Sequence, residues 1–185
     1  MTMIKTIGHS NHPIERFLDL LRAGGVETVV DVRSTPYSRR WPQFGRERLA
    51  QSLSAAGLLY RWEGAALGGK PHDGTSYDDL AARPAFAQAI DRLVAGAADT
   101  VSCLMCAEKE PLDCHRTVLV ARRLAERGAT VEHLLADGRR KPHAVLEEEL
   151  LAASGGAPDL FTTAASRAGR LADAYRARER AMKRG

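Results

Sequence analysis

Cysteine is scarce in this 185-residue chain: there are three, Cys103, Cys106 and Cys114, all in one short segment. An odd, local set makes a poor disulfide framework, and free thiols persist in a reducing compartment, so the expected location is the cytoplasm. No window approaches the roughly 20 apolar residues that a membrane-spanning helix needs. Met1 to Ser10 reads as a short strand, not as a charged region feeding a long apolar one, so no secretory signal is expected. There is no Walker-type phosphate loop and no dinucleotide fingerprint after the first strand, so no cofactor is expected. No internal repeat is visible. Nor is there a charge imbalance in the body of the chain: residues 1–154 hold 20 basic and 20 acidic side chains, and the net charge of +4 comes from residues 155–185.

What is present is an alternation of short β-like runs and helical periods. Strands are expected at Met3–Gly8, Thr28–Val32, Leu58–Trp62, Thr100–Cys106 and Val131–Leu135. Between them, Ile14, Phe17, Leu18 and Leu21 recur at helical spacing, as do Leu49 and Leu53, and Phe86, Ile90, Leu93 and Val94. A helix from Cys114 to Arg127 is expected, with Asp113 as its cap, and another from His143 to Ala153. Glu63–Asp78 reads as one long, Gly-rich loop. Residues 154–158 look like a linker. Beyond it, residues 159–180 predict a basic helix using Phe161, Leu171 and Tyr175 to dock on the domain or on a partner, which makes it a possible route to an oligomer. The expectation is an α/β fold: a parallel-sheet, Rossmann-like three-layer sandwich of about five strands over residues 1–154, plus a C-terminal helical extension over 155–185.

Parallel sheets bind ligands outside the carboxyl ends of their strands. That rule gathers the chemistry-bearing residues of this chain. His9 and Ser10 follow the first strand. Asp31 and Arg33 end the second, and Gly68 and Gly69 come soon after the third. Cys106 and Glu108 follow the fourth and lead to Cys114, His115 and Arg116. A cysteine in the first turn of a helix is stabilised as a thiolate, and Arg116 adds positive charge, so Cys114 is expected to be more reactive than Cys103. Cys103 and Cys106 should face opposite sides of their strand. His133 is expected to be partly buried, and His72 and His143 to be on the surface. Cys106, Cys114, His115 and His9 are zinc-ligand types, but Cys106 and Cys114 lack close-pair spacing, so no metal is expected. The loop containing Arg39, Trp41 and Phe44, extended by Arg46 and Arg48, mixes cations with aromatics. Such a loop suits a nucleotide base or a single strand, or else is a lid packed on the domain.

Ile7-Gly8-His9-Ser10, Asp31-Val32-Arg33, Pro36 with Ser38-Arg39, Phe44, Leu67-Gly68-Gly69, Cys106-Ala107-Glu108 and Cys114-His115-Arg116 occur in this order. The ordered set resembles the DUF488 family over roughly residues 4–136. The resemblance implies the α/β fold and brings no reaction with it. Two functions therefore compete. One is a Cys/His-dependent hydrolase or transferase acting on a phosphate-bearing or otherwise anionic molecule. Its acid/base groups would be His9 and His115, its thiol Cys106 or Cys114, and its anion-gripping groups Arg33, Arg39 and Arg116. The other is a nucleic-acid- or nucleotide-binding module that uses loop 33–48 without catalysis.

Overall fold

A computed structural model describes residues 3–71, 73–154 and 164–184 of the chain; the expectations placed on His72 and Phe161 lie outside the described residues. The strands are β1 (Met3–Gly8), β2 (Thr28–Asp31), β3 (Leu59–Trp62), β4 (Ser102–Cys106), β5 (Thr130–Leu134) and β6 (Arg140–Pro142). They form one six-stranded sheet in the order β3-β2-β4-β1-β5-β6, parallel except for β6, which pairs antiparallel with β5. The sheet thus has one strand, β6, beyond the five read from the sequence. This strand is a short edge of basic residues ending in proline, a composition that blunts an exposed edge and carries no alternation to read. The signal that could have found it is Asp137-Gly138, with Gly138 at φ 92°, in the turn that precedes it.

The helices are α1 (Ile14–Ala23), α2 (Arg46–Ala55), α3 (Gly64–Leu67), α4 (Tyr77–Ala82), α5 (Pro84–Gly96), α6 (Arg122–Glu126, entered through a π-helical stretch Arg116–Ala121), α7 (His143–Ala153) and α8 (Ala164–Arg184). The stretch read as one loop thus contains α3 and leads directly into α4, both too short to show a helical period. Strand residues alternate between two cores. Ile7, Val29, Cys103 and Met105 join Phe17, Leu21, Leu49 and Leu53 of α1 and α2. Ile4, Val30, Leu104 and Cys106 join Ile90, Leu93, Leu124, Leu150 and Tyr175 on the other side. The result is three layers, with the sheet in the middle.

This layering fixes where a ligand fits. β1 and β4 are neighbours. The chain leaves β1 into α1 on one face and leaves β4 toward α6 on the other. Two adjacent strands whose connections diverge to opposite faces open a crevice at their carboxyl ends.

The C-terminal helix α8 is built into the second core rather than laid on the surface. Tyr175 is 1% exposed. Its hydroxyl donates to Glu147 Oε1 (3.1 Å) and meets His143 Nε2 (3.0 Å). Behind His143, His133 Nε2 lies 3.0 Å from His143 Nδ1, and Thr6 Oγ lies 2.7 Å from His133 Nδ1. With one proton on each ring, every bond in this chain has one donor and one acceptor. His143 is therefore buried rather than on the surface, because Tyr175 and Thr6 lie far from it in sequence. His133 is fully buried.

Burial, then the neighbouring His143, Arg116 and Lys141, hold His133 well below its ordinary pKa. The unfolded chain, with histidine near about 6.5, binds that proton more readily. Its contribution to stability is thus fully present above about pH 6.5 and is lost as pH falls toward the depressed folded value. The slope is at most about 1.4 kcal/mol per pH unit. In urea titrations from pH 7.5 to 5, the stability advantage of wild type over His133→Gln should shrink as pH falls. An advantage that is constant or grows would contradict this proton order.

Candidate active site at the carboxyl edge

The crevice at the ends of β1, β2 and β4 holds a cavity of about 230 Å³ lined by His9, Arg33, Ser34, Thr35, Tyr37, Ser38, Lys70, Cys106, Ala107, Glu108 and His115. The loops after β1 and β4 are stitched together, with His9 N–H donating to Cys106 O (2.8 Å) and Ser10 N–H to Ala107 O (2.9 Å). Ser10 takes a left-handed backbone (φ 48°) at this corner, a conformation uncommon for a residue with a side chain. Its carbonyl lies 2.9 Å from His9 Nδ1, while its hydroxyl turns away to Asn11.

One wall is organised by Asp31, whose side chain is 0% exposed. Its carboxylate accepts Arg33 Nε (2.9 Å) and Nη2 (2.6 Å), the Arg33 backbone N–H (3.1 Å) and the Tyr60 hydroxyl (2.8 Å). Arg33 Nη1 then meets His9 Nε2 at 3.3 Å. Of five guanidinium donors, Arg33 spends three inside this network, which leaves two for a ligand. His9 stacks on the buried Phe44 with ring centroids 4.2 Å apart. Burial, offset in part by the Ser10 carbonyl, lowers the His9 pKa to about 4. His9 is thus a neutral, fixed imidazole near neutral pH rather than a poised proton carrier. Phe44 is part of the core beneath it, not a stacking platform for a base.

The opposite wall is a cluster of thiol, imidazole and carboxylate groups. Glu108 Oε2 lies 3.1 Å from Cys106 Sγ and 3.0 Å from Cys114 Sγ. His115 Nδ1 faces the same two sulfurs at 3.6 and 3.9 Å. Its Nε2 lies 2.8 Å from the Val32 carbonyl, which must receive a proton and so fixes that nitrogen as N–H. Arg116, almost wholly buried, donates through Nη1 to Glu108 O (2.6 Å) and through Nη2 to Lys109 O (3.2 Å). Its guanidinium folds loop 107–113 back onto the helix start and is not a free anion grip.

The expected cap was misplaced. Asp113 makes no capping bond and pairs instead with Arg178 of α8. Cys114 occupies the cap position itself: its carbonyl accepts from Thr117 and Val118, and its Sγ accepts from Arg116 N–H at 3.4 Å. Burial opposes a Cys114 thiolate, but the Cys106 thiol, Arg116 and His115 outweigh it and bring the group well below the ordinary thiol range. Burial, then Cys114 and Glu108, push Cys106 up. His115 is raised, burial being outweighed by its bond and charge interaction with Cys114. Burial, followed by Cys114, raises Glu108. Cys114 is 1% exposed and does not line the cavity, whereas Cys106 does. Of the two thiols, Cys106 is therefore the one that opens on the cavity. Cys103 points to the other core, as strand alternation requires.

Of the residues singled out in the sequence, His9, Arg33, Cys106, Glu108 and His115 therefore meet at one cavity, with Asp31, Cys114 and Arg116 directly behind them. Gly69 packs so tightly on the His115 ring that a Cβ there would overlap it, and Gly68 sits equally close against Ser34. Arg39 lies elsewhere, in a shallower hollow of about 500 Å³ shared with Tyr37, Arg46 and Arg48. Trp41 is half-buried against the α1–α2 core. The sequence reading did not single out Tyr60, which clamps Asp31, or Thr35 and Lys70 on the cavity wall. The last follows Gly68-Gly69 directly and was discoverable from that adjacency. It also missed that α8 borders the site: Met182 and Lys183 line a second hollow with Gly69, Glu108 and His115.

The fold and cavity define a three-layer α/β protein with a pocket at the sheet's switch point. The chain belongs to the family described as a domain of unknown function, DUF488, whose model matches residues 13–123. The match takes in Asp31, Arg33 and the whole Cys106–Arg116 loop; it leaves out His9 and Ser10 before it and α7 and α8 after it. No curated protein and no solved structure matches the chain. Among the described residues, no helix is long and apolar enough to cross a membrane.

Proposed function

We propose that the protein is an enzyme, a hydrolase or transferase, acting in the cytoplasm on a small phosphate-bearing or similarly anionic substrate in this cavity. The observation that carries the reading is the two-sided lining of one small space. Arg33, Ser34, Thr35, Ser38 and Lys70 line the same space of about 230 Å³ as Cys106, Glu108 and His115. The first set suits an anion, and the second is the chemistry of proton transfer and nucleophile activation. The volume lies below the roughly 300–1,000 Å³ of ordinary ligand pockets. It suits a phosphate-sized head group better than a stacked strand of nucleic acid. The competing binding-module reading rests on the Arg39–Arg46–Arg48 hollow, where Tyr37 is 67% exposed.

Inorganic phosphate and small phosphate monoesters should raise the melting temperature of the wild-type protein, and Lys70→Ala should weaken that effect. Glu108→Gln should abolish turnover of an aryl phosphate while the phosphate-induced rise in melting temperature survives. A chain that ignores these anions but binds single-stranded oligonucleotide, with an affinity that falls steeply with salt and is lost on Arg39→Ala with Arg46→Ala, is a binding module instead.

A further inference from the structure

We propose that Cys106, Cys114 and His115 form a binding site for a single zinc ion. Donor atoms of Cys106, Cys114 and His115 all lie within 4.8 Å of one another, and all three residues are buried. A tetrahedral ion with bonds of ~2.3 Å to sulfur and ~2.0 Å to nitrogen or oxygen holds such donors about 3.5 Å apart. The sulfur–nitrogen separations here are 3.6 and 3.9 Å, and those from sulfur to Glu108 Oε2 are 3.0 and 3.1 Å. Three donors from one loop and the helix that follows it therefore already stand close to the spacing such an ion imposes, with the Glu108 carboxylate beside both sulfurs.

The surroundings fit as well as the distances. His115 gives its Nε2–H to the Val32 carbonyl (2.8 Å). This is the arrangement that fixes a ligating imidazole, because it leaves the Nδ1 lone pair aimed at the ion. Gly69, pressed against the ring, holds its plane. Arg116 braces the carbonyls of residues 108 and 109 and so holds the loop in place. Three acidic groups, two thiols and a carboxylate, converge in a buried space, and a divalent cation neutralises such a convergence. Thiolate and imidazole donors select zinc over magnesium or calcium. On binding, the Cys106 and Cys114 thiols release their remaining protons to solvent as two sulfur–zinc bonds form; nothing is oxidised or reduced. Sequence spacing hid the site because the seven residues between the cysteines fold back on themselves. Cys106, Glu108 and His115 also line the cavity, so the ion sits at its wall.

The test uses the full chain, reduced and stripped with a chelator, then titrated with zinc alone against a chromophoric competitor, and separately with cobalt. One equivalent of zinc should bind. Cobalt should give thiolate charge-transfer absorption and the intense visible bands of a four-coordinate ion. Cys106→Ser, Cys114→Ser and His115→Gln should each weaken zinc binding beyond the ~10–100-fold that losing an outer-shell partner costs, and Cys103→Ser should leave it unchanged. Each variant's fold is checked by circular dichroism in chelator. Should one fail to fold, alkylation of the wild type decides, since zinc must protect Cys106. Failure of the reduced chain to bind an equivalent, cobalt spectra without thiolate absorption, or equal labelling of Cys106 with and without zinc would each overturn the site. Uptake is read without any substrate, so a chain that binds zinc but turns over no phosphate ester refutes only the proposed reaction, and a metal-free chain that turns it over refutes only the zinc.

Discussion

Replacing Asp31 with alanine should lower the unfolding free energy by about 3–5 kcal/mol, the cost of removing one partner from a buried ion pair. The carboxylate holds Arg33 at 2.6 and 2.9 Å and Tyr60 at 2.8 Å, in a place where water does not replace it. Without Asp31 the guanidinium keeps only its 3.3 Å contact to His9 and remains a charge without a counter-charge at the cavity wall. Arg33→Ala should cost a comparable amount by stranding Asp31. The double variant Asp31→Leu with Arg33→Met removes both charges and should cost clearly less than the two single variants together, because most of each single cost is the orphaned charge. Urea denaturation of the four proteins measures the coupling. Simple additivity would show that the pair does not organise this wall, and the role given to Asp31 would fall.

The convergence of His9, Arg33, Cys106 and His115 was legible in the sequence because parallel α/β folds place every strand's carboxyl end on one edge, whatever the strand order. Strand identity was legible too: Thr28–Asp31 and Ser102–Cys106 are buried on both faces and lack the polar alternation of a half-exposed strand. What each polar group was free to do was not legible. Arg33 and Arg116 read alike as anion grips. Yet Arg33 has a carboxylate two residues earlier, and Arg116 has carbonyls seven and eight residues earlier, and only chain geometry decides which partner wins. His143 looked exposed because its neighbours in sequence are polar, while its neighbours in space are Tyr175 and His133. The thiol cluster escaped for a similar reason: ligand spacing is a rule about local loops, and this loop is closed by a buried arginine.

Truncation after Ser154 is expected to unfold or nearly unfold the domain, a larger effect than the sequence alone implies, since from the sequence a docked helix can be removed with the sheet still folded and apolar surface exposed. Tyr175 and Ala174 belong to the same apolar core as Leu150, Leu104 and Ile90. Deleting a buried aromatic side chain costs about 3–5 kcal/mol by itself, against a total stability on the order of 5–15 kcal/mol. Further losses follow. Glu179 accepts the Tyr77 backbone N–H at 2.9 Å at the start of α4, and Arg178 donates to the Leu112 carbonyl at 2.9 Å in the loop that carries the cluster. Tyr175→Phe isolates one part of this. It keeps the ring but leaves His143 and Glu147 without the hydroxyl, at about 1–3 kcal/mol. Tyr175→Ala should cost more, and the truncation most of all. Chemical denaturation followed by circular dichroism gives the ordering directly. A truncated chain as stable as the full one would mean that α8 does not complete this core. Its placement beside Glu108 and His115 would then be incidental to the site.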